Sequence, residues 1–167
     1  PGTQYWFWVY AYNNLCTGGP LYATGAPLTN TIFTTSCSLT GIKTVGPTGD
    51  YPTLTAAISA VNSLGLAAPV ALEIQTTYDG TGETFPIVIN TPPCASPTNR
   101  LTIRPQGPLT ITWGGAANAV IDLNGANYVT IDGRVGSTGS TNALTISNTN
   151  TGGQAIRFIN GSSNNIV

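Results

Sequence analysis

Two carboxylates, Asp122 and Asp132, and two guanidiniums, Arg134 and Arg157, are the ionisable groups whose spacing brings them nearest to a shared site. Asp122 and Asp132 fall at outward-facing positions of neighbouring short strands, with the two arginines near them in sequence or repeat. A carboxylate pair roughly 5–9.5 Å apart hydrolyses glycosidic bonds. These two, however, are expected on strands that face different sides of the molecule, and Asp132 precedes Gly133, as a turn residue does. No residue is therefore assigned a catalytic role. Glu73, Asp79 and Glu83 read as surface or turn residues. The chain has no His, which closes Ser-His-Asp and Cys-His mechanisms and His-ligated metal sites. Three Cys without a C-x-x-C spacing make no metal site, so no metal is expected. Asn160-Gly161-Ser162 is the single N-glycosylation sequon.

A second kind of chemistry lies near the start. In Tyr5-Trp6-Phe7-Trp8-Val9-Tyr10-Ala11-Tyr12 the side chains alternate, so Trp6, Trp8, Tyr10 and Tyr12 share one face of a strand. A flat aromatic row stacks on sugar rings. It also pairs with neighbouring strands, and that reading carries the greater weight.

The 167 residues must position these groups with little charge. Only 7% are Asp, Glu, Lys or Arg, against about 25% in an ordinary soluble domain. The net charge is −1, so no basic stripe exists for nucleic acid. No apolar run approaches the roughly 20 residues of a membrane-spanning helix. With 41% hydrophobic residues the chain can build a core. Pro1 opens a sequence that lacks Met, and no signal peptide is visible. The expectation is an internal piece of a longer, secreted or cell-surface protein.

One segment has helical periodicity. Leu54, Ile58 and Val61 recur at i, i+4 and i+7, with Ala57 and Leu64 completing the stripe; Thr53 is the expected N-cap and Gly65 the residue past the end. Almost everything else reads as short strands bounded by Gly, Asn and Pro: Tyr5–Tyr12, Leu21–Thr24, Thr31–Thr34, Val70–Gln75, Phe85–Ile89, Leu101–Arg104, Leu109–Thr112, Val120–Leu123, Tyr128–Asp132, Ala143–Ser147, Ala155–Ile159 and Asn165–Val167. The fold class is all-β with one helix, and the pattern changes near residues 35–39.

The later strands repeat. Ala119-Val120-Ile121-Asp122-Leu123-Asn124-Gly125 aligns without a gap on Ala155-Ile156-Arg157-Phe158-Ile159-Asn160-Gly161. Each repeat holds about three strands and cannot bury its own apolar face, so it must stack on its neighbours. Val129, Ile131, Leu144 and Ile146 point inward in this scheme, and Thr130, Asp132 and Thr145 outward. The gapless alignment sends Arg157 inward and strand alternation sends it outward; an unpaired inward Arg is costly, so alternation decides. Asn124, Asn148 and Asn160 fall at corners, where their amides are expected to stack on equivalent Asn residues. An open first edge invites aggregation, and the amphipathic helix Leu54–Leu64 is its expected lid.

Two resemblances follow. Pro1-Gly2-Thr3 before the aromatic strand, with Tyr5 at the tyrosine corner, resembles strand F of a fibronectin type III domain. Residues 1–36 would then be strands F and G of such a domain. Gly49-Asp50-Tyr51-Pro52-Thr53-Leu54 through the helix, then Pro69-Val70-Ala71-Leu72-Glu73-Ile74, then Tyr78 and Glu83-Thr84-Phe85-Pro86-Ile87-Val88-Ile89, resembles the N-terminal entry of pectin-lyase-like right-handed parallel β-helices. Asn124-Gly125-Ala126-Asn127-Tyr128-Val129-Thr130-Ile131-Asp132-Gly133 is similar to β-helix regions of large secreted, adhesin-like bacterial proteins. This second resemblance implies that residues 37–167 are the cap and first coils of a β-helix. The function it implies is a stalk or adhesin-like module for glycans or surfaces, with no cofactor. The alternative is the front of a polysaccharide-acting enzyme with its site downstream, and only then would calcium enter. On the same resemblance, Cys37 and Cys94 both fall near the start of the β-helix. They are favoured over Cys16 and Cys37 as a disulfide, which fits an oxidising compartment. Sequence alone leaves the connectivity open.

Overall fold

The computed structural model describes residues 36–113 and 117–167, and of residues 1–35 only the backbone of four strands. The chain divides into two compact units, Pro1–Ser36 and Cys37–Val167.

In the first unit, β1 (Gln4–Val9) pairs antiparallel with β4 (Leu28–Phe33), setting Trp6 opposite Thr31 and Trp8 opposite Thr29. Inside that pair of partners, β2 (Tyr12–Asn13) and β3 (Leu21–Tyr22) form a second antiparallel pair, with Tyr12 opposite Tyr22. The expected strand Tyr5–Tyr12 is thus two shorter strands, and Tyr10 lies outside the described residues.

The second unit begins with β5 (Leu39–Val45) and α1 (Leu54–Leu64). Then come β6 (Leu66–Ile74), β7 (Ile87–Ile89), β8 (Leu101–Pro105), β9 (Leu109–Trp113), β10 (Ala119–Asn124), β11 (Val129–Ile131), β12 (Leu144–Asn148) and β13 (Gln154–Ile159). The ladders described among these strands are parallel. They form three sheets, ordered β11-β8-β6-β5, β12-β9 and β13-β10-β7. The chain visits the sheets in turn. It runs β8, β9, β10, then repeats the order as β11, β12, β13, and returns to the first sheet where Ile166 bridges Thr130.

The alternation of side chains explains the stacking. In β8, Leu101 and Ile103 are buried while Thr102 and Arg104 are half-buried. Leu101 lies between Val70 and Val129, and Ile103 between Leu72 and Ile131. Ile121 likewise lies between Ile87 and Ile156. Each inward aliphatic is therefore roofed by another aliphatic, and complete burial of each contributes about 1.5–3 kcal/mol.

Helix α1 occupies the expected span. The Thr53 hydroxyl accepts the Ala56 N–H at 3.0 Å, and Gly65 at φ 61° sends its N–H to the Val61 carbonyl at 2.8 Å. A Cβ on Gly65 would stand 2.5 Å from the Cys37 sulfur, so the cap requires glycine on two counts. Leu54, Ala57, Ile58 and Val61 are buried, but Leu64 is 41% exposed and does not complete the stripe.

Three expectations are corrected. Strand β5 was not expected, because Gly41 and the exposed run Thr40–Ile42 interrupt its alternation. It pairs along the outer edge of β6, and α1 packs against β5, β6 and β7. The first edge is thus covered by a strand and a helix rather than by the helix alone. The gapless repeat alignment is also one residue out within the strands. Ile121 sits opposite Ile156 and Asp122 opposite Arg157. The extra residue is absorbed at Asn160, whose φ of 55° turns the corner and returns its side chain to Asn124. Asn165–Val167 forms an isolated bridge rather than a strand.

Candidate functional site

The outward faces of the three sheets hold polar residues, and several of these bond to the registered position one circuit away. Asp122 on β10 is 3% exposed and accepts from Arg157 on β13, 35 residues later, at 2.8 and 2.5 Å. Parallel register places the two side by side. Arg157 is therefore outward and paired, which resolves the conflict between alternation and alignment. On the first sheet Glu73 receives two bonds from Arg104, at 3.0 and 2.7 Å, again between registered neighbours. Arg104 also reaches the Ser137 hydroxyl. Arg100 crosses to Thr130 Oγ1, the Val129 carbonyl and the Asn164 carbonyl, with its guanidinium 5.9 Å from the centre of the Tyr128 ring.

Asp132 and Arg134 pair within one loop. Arg134 donates Nε and Nη2 to the two Asp132 oxygens at 2.9 Å each, and its backbone N–H adds a bond of 3.0 Å. Chiefly through the guanidinium bond, the Asp132 carboxyl is lowered to about 2, against the opposing pull of burial. Arg134 and Arg157 are each raised, first by the hydrogen bond each donates to its facing carboxylate. Asp50 and Asp79 are lowered, first by the backbone N–H of Thr44 and of Thr81 respectively. Asp122 lies on β10 and Asp132 in the loop just past β11, a strand of another sheet, and each carboxylate bonds a different arginine, so the expected pair is not formed.

The corners carry columns of amides and hydroxyls. Asn160 donates to Asn124, which donates to Asn90 at 3.1 Å. Beside this column, Asn127 donates to Thr91 and accepts from Ser163. Asn148 departs from the expected ladder. Its amide closes its own corner on the Ala117 and Gln154 carbonyls, and its oxygen accepts the Asn150 N–H. Asn90 and Thr91 were missed by sequence reasoning. Their signal was present, because Ile87-Val88-Ile89-Asn90 repeats the apolar-x-apolar-Asn pattern of Ile121-Asp122-Leu123-Asn124.

Glu83 closes a turn, its N–H reaching the Gly80 carbonyl at 3.1 Å, but its half-buried carboxylate does more than a turn requires. One carboxylate oxygen accepts from the Leu54 N–H and the Tyr78 hydroxyl, and the other from the Thr55 N–H and hydroxyl. A carboxylate is thereby held at the N-terminus of α1, where orphan N–H groups and the helix dipole favour negative charge. Asp79 accepts the Thr81 N–H in a turn, as expected. The loop between them is pinned by Trp113, which donates to the Asp79 carbonyl at 2.8 Å and packs edge-on against Tyr78, with ring centres 5.1 Å apart. Gly80, at φ 77°, lies against the indole, and any Cβ there would overlap it.

Cys37 and Cys94 are joined by a disulfide, with Cα atoms 6.4 Å apart. Cys16 and the side chains of Trp6, Trp8, Tyr10 and Tyr12 lie outside the described residues. Among the described residues, no three His, Cys, Asp or Glu side chains converge as a metal site would require. The chain matches no protein-family model, no curated protein and no solved structure.

Proposed function

We propose that residues 37–167 form the capped beginning of a right-handed parallel β-helix of the pectin-lyase-like kind, and that it serves as a stiff, non-enzymatic stalk in a secreted or cell-surface protein. One observation carries the reading. The outward ionised groups bond one circuit to the next, as Asp122 does to Arg157 and Glu73 to Arg104, in step with the Asn90–Asn124–Asn160 column. Side chains committed in this way stiffen a rod and leave no charge free for acid–base work at those positions. Parallel strands of one sheet joined by crossovers are right-handed in about 98% of cases, which supports the handedness. Disulfide Cys37–Cys94 suits an oxidising compartment.

On this reading residues 1–36 are strands F and G of a fibronectin type III domain, consistent with the antiparallel pairing of β1 and β4. The aromatic row Trp6, Trp8, Tyr10 and Tyr12 is the assigned contact for glycans. The test incubates the full-length protein with pectin-type polymers and calcium, and separately measures the retardation of the 167-residue protein in gels containing those polymers. The stalk reading expects no unsaturated-product absorbance, and a retardation that Trp6→Ala with Trp8→Ala abolishes. Product formation would contradict the stalk. Retardation unchanged in the double variant would contradict the aromatic contact.

A further inference from the structure

The chain has five Lys and Arg residues, Lys43, Arg100, Arg104, Arg134 and Arg157, all within the second unit. Four of them precede peptide bonds held in ladders. Lys43–Thr44 lies in β5 against β6, and Arg157–Phe158 in β13 against β10. At Arg100–Leu101 the Arg100 carbonyl accepts the Val70 N–H and the Leu101 N–H donates to the Tyr128 carbonyl, both at 3.1 Å. Arg104 lies in β8 and is followed by Pro105, whose ring fixes the backbone.

Arg134–Val135 differs. It lies between β11 and β12, in a loop with Gly133, Gly136 and Gly139, and Val135 is 42% exposed. The loop leans back over the preceding circuit, where Arg104 donates to the Ser137 hydroxyl. Its base is closed tightly. The Asp132 N–H reaches the Ile103 carbonyl at 2.9 Å, and the Ala143 N–H the Gly133 carbonyl at 2.7 Å. Inside that base the backbone bonds are long, 3.3 Å from the Ser137 N–H to the Arg134 carbonyl and 3.3 Å from the Thr138 N–H to the Val135 carbonyl. What holds the segment is the Arg134 side chain, with two bonds to Asp132 and one of 3.3 Å to the Gly139 carbonyl.

We infer that Arg134–Val135 is a cleavage site for an arginine-specific endopeptidase and that Asp132 latches it shut. Water adds across the amide, leaving a carboxylate on Arg134 and an amine on Val135, and no other bond changes. Such an enzyme draws the guanidinium onto a carboxylate of its own. Asp132 already occupies that group with both oxygens. Cleavage therefore requires Arg134 to leave Asp132 and the loop to open, so its rate follows the population of the open form. Exposed loops of small residues are where proteolytic nicks concentrate. The ladders β9–β12 and β10–β13 join residues on opposite sides of the cut, so the nicked stack stays assembled. The inference holds whether or not the aromatic row binds glycans.

The test treats the 167-residue protein, disulfide intact, with dilute trypsin and locates the first cut by mass spectrometry. Fragments 1–134 and 135–167 are expected, eluting together in gel filtration. Asp132→Asn should speed that cut about three- to tenfold. Arg134→Lys keeps a cation that trypsin accepts but loses the planar fork. It should also be cut faster, once each rate is divided by that of an unstructured peptide spanning residues 130–140. Asp122→Asn breaks a comparable pair on another sheet and should leave cleavage at Arg134 unchanged. A first cut at another basic residue, equal rates in Asp132→Asn and the parent protein, or equal acceleration by Asp122→Asn would each overturn the proposal.

Discussion

Single residues here act mainly by joining distant parts of the chain. Glu83 lies 29 residues from Leu54 yet supplies the acceptors for the start of α1. Glu83→Ala would orphan the Thr55 N–H and the buried Tyr78 hydroxyl proton and leave the Leu54 N–H only its longer bond to Tyr78, costing about 2–4 kcal/mol in urea unfolding; Glu83→Gln would recover part of that loss. Asp132 makes a pH-dependent contribution. Its carboxyl is lowered to about 2 when folded, against about 3.9 in the unfolded chain. The stability it confers is fully present above pH ~4 and is lost as pH falls towards ~2. Arg134 is 45% exposed, so solvent and salt screen the pair and keep the effect small. Acid titration of the melting temperature should show a shallower fall between those values in Asp132→Asn, and added salt should narrow the difference. At this scale the sequence was legible wherever a residue type had one strong local role, as with Thr53 at the helix start. It was not legible for Glu83 or Glu73, because their partners are chosen by folding and not by neighbours in sequence.

Elements were legible to the extent that their periodicity was clean. Helix α1 and the strands from β8 to β13 lie close to their expected spans. Strand β5 was hidden because an edge strand buries little and here carries Gly41 and Lys43. The one-residue slip between β10 and β13 was hidden because sequence similarity follows the conspicuous Asn-Gly corners, whereas register follows the inward aliphatics. The disulfide ties the approach to β5 to the loop after β7, closing a span of 57 residues. Loop entropy of that length is worth about 4 kcal/mol. Unfolding in urea with and without reductant should differ by about that amount. A difference under about 1 kcal/mol would show that the unfolded chain gains little freedom on reduction.

For the molecule as a whole, the second unit is a pile of similar circuits whose inward aliphatics and outward polar columns run in the same direction. Parallel stacking makes each circuit the template for the next. The repeat of Ala119–Gly125 in Ala155–Gly161, among short strands that cannot bury themselves, pointed to stacking, and low charge with abundant Thr and Asn fits it. It could not reveal which groups pair, since that depends on register. Parallel register is the central claim, and amide–amide nuclear Overhauser effects across the circuits in the isotope-labelled 167-residue protein test it most directly. The account predicts contacts placing the Ile121 backbone between those of Ile87 and Ile156, and Leu101 between Val70 and Val129. Close Hα–Hα contacts between sequential strands after Val70, the mark of antiparallel hairpins, would contradict it.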